Sequence, residues 1–460
     1  MRLSGIDIQQ ATQGHWRGKA PEAIHGIVTD SRDFPSGNTF LALRGPHFDG
    51  HTFASELADR AEALIGDHEG VRLWDHIDIY QLEVADTLKA MGDIAHAWRK
   101  TLKQTTLIAI SGSYGKTSLR SLLEHGFHRL GLRVAATKAN LNNLIGVPQT
   151  LLSIDQDADI ALIECGISEV GEMRRLASMV QPDIAIITGL ASAHSEGLGG
   201  LQGVAREKTQ ILDALPSDGW CILGEGVEHQ LREFDIDLPR SAISMTKSGD
   251  QKEAVSWQLN GTCLTLTQNG KSADIQLALP ARHWAANMAL ASSMMLRYMH
   301  QRHHKTTLAA VAKALSDWQP VAGRMRQTQG LQQSVILDDS YNANPVSMQA
   351  ALDTLVAMDG HRVAILGDMA ELGTDSDQAH AGLELNGIEK VFLIGHEMRM
   401  LAEKHDSAQW FATTEEAIRF FLNFQPNPED IILIKASRSM GLDRIAALLE
   451  IPGEEMRHAV

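Results

Sequence analysis

Hydrophobic positions along this chain fall in short runs broken by polar turns, and their period changes along its length. Up to about residue 84 the runs AIHGIVTDS, NTFLALRG, AEALIGD and DIYQLEVAD read as short strands, divided by turns at PSG and FDGH. ADTLKAMGDIAHAWRKTL then carries apolar residues at helical spacing and leads into the strand TTLIAIS. Onward to about 318, helical and extended patterns alternate. SLRSLLEHGFHRLG predicts a helix and RVAAT a strand, while ADIALIECG and PDIAIITG are apolar throughout, as strands buried on both faces are. Between about 242 and 280 the texture becomes AVSWQLNGTCLTLTQNGKSADIQLAL, apolar and polar in alternation around NG turns, which predicts antiparallel hairpins. The helix HWAANMALASSMMLRYM follows.

After a Pro-Val-Ala-Gly-Arg break at 320–324 the pattern is periodic to the end. SVILDDS, RVAILGD, KVFLIG, QWFA and DIILIKAS predict strands. SMQAALDTLVAM, QAHAGLELNG, MRMLAEKH and TEEAIRFFLNF predict the helices between them. That order implies a parallel sheet covered on both faces. The expectation is an α/β protein of three domains, 1–84, 85–318 and 319–460. The middle one should hold a parallel sheet plus hairpins, and the last should be doubly wound.

Composition narrows the classes. A net charge of −16 argues against general nucleic-acid binding, which draws on a basic surface. No apolar run reaches the ~18 residues of a membrane span, and MRLSGIDIQQATQGHW lacks the apolar core of a signal peptide. A cytoplasmic protein is expected, acting as a monomer on small molecules. Cys165, Cys221 and Cys263 are too dispersed for a zinc or disulfide framework, so buried inert thiols are expected. QRHHK at 301–305 reads as a solvated linker.

The candidate chemistry begins at AISGSYGKTS. Strand, glycine loop and helix come in the order a phosphate site needs, with backbone N–H groups at a helix N-terminus facing the anion. Gly112 and Gly115 permit close approach, Lys116 can neutralise phosphate oxygens, and the Thr117 hydroxyl can sit on Mg²⁺. The usual P-loop would have glycine where Ile110 stands, and a plain strand–helix turn is the competing reading. Glu164 ends an apolar strand, where a carboxylate can take the Mg²⁺ of a nucleotide or cap a helix. His194, in LASAH, reads from its residues alone as a hydrogen-bonded loop histidine. Asp338 and Asp339 end a strand, where they suit ribose hydroxyls or a substrate amine, and equally the start of a helix. Lys435 and Arg438 suit a carboxylate or phosphate, or plain surface charge.

Together these stretches resemble the Mur ligase family, which makes amide bonds in peptidoglycan precursors. SGSYGKT fits that family's own loop, which lacks the leading glycine. The resemblance runs through TDSR, FLALRGPHFDGHTF, NLNNLIGVPQTLL, ASAHSEGLGGLQGVAREK, PVAGRM, LDDSYNANPVSM, VAILGDMAELG and KASRSMGLD, and so covers nearly the whole chain. LDDSYNANP and GDMAELG are specific to the branch that joins D-alanyl-D-alanine to a UDP-muramoyl-tripeptide. The resemblance implies a UDP-sugar domain, a central ATPase, a C-terminal domain closing over both, and an acyl-phosphate route driven by ATP. It implies that Gly112, Ser113, Gly115, Lys116, Thr117 and Ser118 hold nucleotide phosphates. Asn287 would lie on the adenine side, Arg324 near the phosphates, and Asp338 or Asp339 at the ribose. Thr117, Glu164, His194 and Lys208 would serve two Mg²⁺ ions, with Lys208 carbamylated. Ser31, Arg32, Asp49, Gly50 and His51 match the UDP-sugar signature. Asn140 and Asn143 fall in a substrate-binding stretch, and Asn342, Asn344, Ser437, Arg438 and Ser439 lie where the branch handles the amine. Lys116, Lys208, His194, Asn342 and Arg324 would be the catalytic set.

The chain departs from the family's pattern in the surroundings of these groups. Ser168-Glu169 replaces an Asn-His pair, placing an acid near the catalytic centre. His283-Trp284 replaces His-Asn, where the tryptophan offers a ring to stack on the base. Thr209-Gln210 replaces Gly-Glu, Gly224-Glu225-Gly226-Val227 replaces Asn-x-Asp-Asp, and Ala139 stands in place of the glycine of T-x-G-N. A paralogue joining another acid and amine, or a nucleotide-binding regulator without ligase chemistry, are the competing expectations.

Overall fold

The computed structural model describes residues 1–191, 195–239, 241–245, 254–405 and 407–451. The chain forms two compact units, residues 1–111, 131–186 and 207–221, and residues 112–130, 187–206 and 222–460. No helix among the described residues is long and apolar enough to cross a membrane.

The first unit contains helix α1 (Gly5–Thr12), started by Ser4, whose hydroxyl accepts from the Asp7 amide at 3.1 Å. Its five-stranded sheet is built from β1 (His15–Trp16), β2 (Ile27–Val28), β3 (Thr39–Leu41), β4 (Ala63–Asp67) and β5 (Tyr80–Val84), in the spatial order β1-β5-β4-β3-β2. Only the β1–β5 pair is antiparallel. Phe34, Phe40, Leu57, Leu64 and Trp74 bury one face. Helix α2 (Thr87–Arg99) carries the predicted apolar stripe, with Met91, Ile94, Ala95 and Trp98 buried.

The second sheet contains β6 (Thr106–Ser111), β7 (Val134–Ala136), β8 (Ile160–Glu164), β9 (Ile184–Ile187), β10 (Trp220–Leu223) and β11 (Ile243–Ser244), ordered β7-β8-β6-β9-β10-β11. Strands β6, β8, β9 and β10 are buried at every residue, as suits strands whose central residues are all apolar. In the parallel β6–β8 pairing Ile110 lies opposite Glu164, the last residue of β8.

The second unit contains the predicted hairpins. Strands β12 (Ser256–Asn260), β13 (Cys263–Gln268) and β14 (Lys271–Gln276) form an antiparallel sheet in chain order. Asn269 and Gly270 take φ of 51° and 73° between β13 and β14, the pair of left-handed residues that a tight hairpin of this twist needs. The last sheet runs β15-β16-β20-β17-β18-β19, from β15 (Arg326–Gln329), β16 (Val335–Asp339), β17 (His361–Gly367), β18 (Lys390–Ile394), β19 (Ala408–Phe411) and β20 (Asp430–Lys435). It is parallel except for the edge strand β15, whose RQTQ sequence has no apolar alternation to announce it. Phe392, Phe411, Phe421 and Phe424 pack beneath it.

Two sequence expectations need correction here. The helix expected over QAHAGLELNG is only Ser376–Ala381, ended by Gly382. Leu383 and Leu385 beyond it are buried from irregular chain, not from a helical face. Cys165 and Cys221 are buried, but Cys263 is exposed on the open side of β13. The stretch 301–305 is exposed throughout, as a solvated linker should be.

Candidate active site

The glycine loop occupies the turn from β6 into helix α3 (Lys116–Arg129). Gly112 has φ of 143°, and a Cβ there would lie 2.1 Å from the Thr188 hydroxyl. Gly115 caps α3 with φ of 78°. Both glycines are therefore required by the backbone and by the packing around it. The loop is pinned by Ser113, whose amide donates to the Gly189 carbonyl at 2.7 Å and whose hydroxyl donates to that of Ala191 at 3.0 Å. The Lys116 ammonium donates to the Gly112 carbonyl at 2.7 Å, across the mouth of the loop.

A cavity of about 400 Å³ within the second unit begins at this loop. Ser113, Tyr114, Gly115 and Ser118 form one side, and His283 and Asn287 come from the helix Arg282–Gln301. Trp257 of β12 adds an aromatic wall, and Arg324, Asp339, Asn342, Asn344 and Lys435 complete the lining. The Asn287 carboxamide lies beside Gly115, 3.3 Å from where a Cβ would stand. Sequence reasoning missed Trp257 and gave the aromatic role to Trp284. That ring is 3% exposed and packs edge-on against Trp318, so it stacks on protein. A single tryptophan in an alternating hairpin carries no sequence signal of facing a cavity.

The charged floor comes from the ends of two neighbouring strands. Asp339 of β16 lies opposite Lys435 of β20, and the two side chains form an ion pair at 2.7 Å. Lys435 is buried and also donates to the Asn342 carbonyl at 2.8 Å, which rules out its reading as surface charge. Burial pulls its ammonium below the ordinary lysine range, against the stabilising pull of Asp339. Asp338 points away from the cavity and accepts from the Gly323 amide at 2.9 Å and the Ser340 hydroxyl at 2.6 Å. Of the two aspartates, Asp339 is the one that lines the cavity. The Arg324 guanidinium reaches the Thr117 hydroxyl at 3.4 Å.

Asn344 lines the same space, but its oxygen caps the helix Pro345–Val356 by accepting from the Ser347 amide, and its amide nitrogen reaches the Ser113 carbonyl at 3.4 Å. Ser437 is buried, its hydroxyl accepting from the Ala370 amide at 2.8 Å. Arg438 is exposed and paired with Asp443. Ser439 lines a different, wider cleft of about 860 Å³, beside loop 368–376, Gly199, Gly200 and Glu397.

In the first unit, Glu164 is buried at the end of β8. Its amide donates to the Thr137 hydroxyl at 2.9 Å, and its carboxylate accepts from the Asn142 amide nitrogen at 2.9 Å. Sequence reasoning named Asn140 and Asn143 from the same run. Asn140 is exposed, Asn143 caps the turn into Gly146–Leu152, and Asn142 is the one that reaches the carboxylate. Lys208 is 1% exposed. Its neighbour Glu207 is also buried and accepts from the Gly171 and Met173 amides at 2.8 and 3.1 Å. Glu169 is exposed and its amide donates to Glu172. His194 lies outside the described residues.

The UDP-sugar signature divides. Ser31 is half-buried, Arg32 is exposed and paired with Asp30, and Asp49 is held between Arg44 and His51. His51 is 1% exposed with both ring nitrogens used, Nδ1 on Asp49 at 2.6 Å and Nε2 accepting from the Asp67 amide at 3.1 Å. Gly66 and Gly70 leave room for its ring, and the Gly50 amide closes onto the Leu43 carbonyl. His51 and Gly50 are thus held by contacts within the domain.

Three family domains match this chain: the catalytic domain of the Mur ligase family over residues 23–99, the Mur ligase middle domain over 110–295, and the glutamate ligase domain over 323–438. UDP-N-acetylmuramoyl-tripeptide–D-alanyl-D-alanine ligase of Escherichia coli is 33% identical over 440 residues, 94% of each chain. The chain belongs to the Mur ligase family. The Bacillus subtilis enzyme of the same name is 30% identical, with 93% of this chain and 94% of the relative covered. Among solved structures, MurF from Acinetobacter baumannii is similar over 97% of this chain and 98% of its own, with a TM-score of 0.84 at 29% identity. This Mur ligase chain therefore has the three-domain architecture of that family. Its glycine loop and the lining from 323–344 lie within the matched middle and C-terminal segments.

Proposed function

We propose that this chain is an ATP-dependent ligase that joins D-alanyl-D-alanine to UDP-N-acetylmuramoyl-tripeptide, acting as a cytoplasmic monomer on small molecules, not nucleic acid. The observation that carries the reading is the cavity that opens at SGSYGKT and is completed by Arg324, Asp339 and Lys435. Relatives of that activity match nearly end to end. We place the domain limits at 84/85 and 318/319.

In this reading the α3 N-terminus and Lys116 hold the β- and γ-phosphates, Asn287 and Trp257 face the base, and Asp339 takes a ribose hydroxyl. The tripeptide's terminal carboxylate attacks the γ-phosphorus. The bond to the β-phosphate oxygen breaks and ADP leaves. The dipeptide amine then adds to the acyl carbon, gives up a proton, and expels inorganic phosphate. Lys116 and Arg324 neutralise the charge that moves with the phosphoryl group. The hydroxyl of Thr117 and the carboxylate of Glu164 are hard oxygen donors of the kind Mg²⁺ accepts. Mg²⁺ would supply charge neutralisation at the phosphates. Lys208 would serve the second such ion only as its carbamate, formed by CO₂ adding to the neutral amine with loss of a proton, and His194 would join it. Asn342 and Arg438 are assigned to the amine side.

Ser168 and Glu169 favour one second reading, the same ligation on a different acid or amine. The deciding experiment measures ADP release with ATP, Mg²⁺, bicarbonate and UDP-N-acetylmuramoyl-tripeptide, with and without D-alanyl-D-alanine. Release that needs both substrates, with the amide product in the mass spectrum, supports the first reading. ATP binding without turnover supports the second. Lys116→Met should lower turnover by roughly a hundredfold or more in either case.

A further inference from the structure

The loop that carries Arg324 is fastened at several points to the start of the segment after β16. The Gly323 amide donates to the Asp338 carboxylate at 2.9 Å, and the Tyr341 amide donates back to the Gly323 carbonyl at 3.2 Å. Gly323 has φ of 71°, and a Cβ there would stand 3.0 Å from that of Tyr341, so loop and tyrosine are in close contact. The Arg324 guanidinium then lies over the Tyr341 ring, 4.2 Å from its centroid, with Nη2 toward the Thr117 hydroxyl. Arg438 approaches the same ring at 5.7 Å, but it is exposed and tied to Asp443. Tyr341 is half-buried and does not line the cavity. A long arginine side chain has many rotamers, and a flat guanidinium on a ring face keeps few of them while its N–H edges stay available.

We propose that Tyr341 is a positioning residue for triphosphate recognition: its ring holds the Arg324 guanidinium beside the glycine loop, so the terminal phosphate meets a charge already in place. The proposal rests on the reading of Arg324 as the phosphate-facing arginine. It predicts a role for the ring face and none for the hydroxyl. It also predicts that the ring matters more for ATP than for ADP, because the terminal phosphate is the group that gains.

The test compares affinities for a non-hydrolysable β,γ-imido ATP analogue and for ADP in the full-length wild-type chain, Tyr341→Phe and Tyr341→Leu. A fourth protein carries pentafluorophenylalanine at 341, a ring of the same shape with its face charge reversed. It serves if the leucine variant does not fold. Tyr341→Phe should keep the wild-type preference for the analogue over ADP. The leucine and fluorinated proteins should lose about tenfold of it, the size of a partly buried cation–ring contact. A role in stability alone would leave the preference unchanged. An unchanged preference in the leucine or fluorinated protein overturns the proposal. So does a phenylalanine variant as impaired as leucine, or a wild type that does not distinguish the two nucleotides. A wild type that shows the predicted preference and yet forms no amide from the peptidoglycan substrates defeats the proposed function and leaves this inference standing.

Discussion

Ala139 has φ of 46°, a left-handed conformation that its Cβ disfavours, at the position where the resemblance expects glycine. Ala139→Gly should therefore raise stability by about 1 kcal/mol, since relief of the strain outweighs the entropy that glycine adds to the unfolded chain. A urea midpoint that rises with an unchanged slope is the expected outcome. His283 makes a second prediction, for pH. Burial, with a smaller push from Lys435 and an opposing pull from Asp339, lowers its imidazole from 6.5 to about 4. Between those values the unfolded chain binds a proton that the folded chain refuses. Its contribution is complete above pH 6.5 and is lost as pH falls toward 4. The melting temperature of His283→Gln should fall less than that of wild type between pH 7 and 4.5. Both residues look ordinary in the sequence, because strain and burial belong to the folded environment.

Helix Glu172–Val180 shows how one buried side chain organises an element. It starts at Gly171 with no side-chain cap of its own, and Glu207 supplies the missing acceptor from a distant helix. Gln210 donates to the other Glu207 oxygen at 2.8 Å. Glu207→Ala strands one buried and one half-buried amide and should cost about 2 kcal/mol, read by chemical denaturation, with Glu207→Gln recovering part of it. At this scale the sequence was most legible where period and burial agree. The apolar-centred strands β6, β8 and β9 and the alternating hairpins are legible directly, while β10 is not singled out by the pattern. Nor is edge strand β15, since an edge needs no apolar face. The candidate site was legible in its loop and its strand-end acids, whose residue types carry the chemistry. It was illegible in Trp257, Asn142 and Tyr341, whose roles depend on what folds beside them.

Across the whole molecule the three cysteines divide into two buried and one exposed, a contrast their spacing could not foretell. A thiol reagent should modify only Cys263 in the native protein and all three in denaturant, and modification of a second cysteine without denaturant would contradict the fold. The path of the chain has a further consequence. The two compact units are interleaved: the polypeptide leaves the first at 111, 186 and 221 and returns to it at 131 and 207. Splitting the gene anywhere between codons 112 and 221 would thus break both units at once. A two-fragment complementation system is best cut outside that span, where at least one half inherits an unbroken unit.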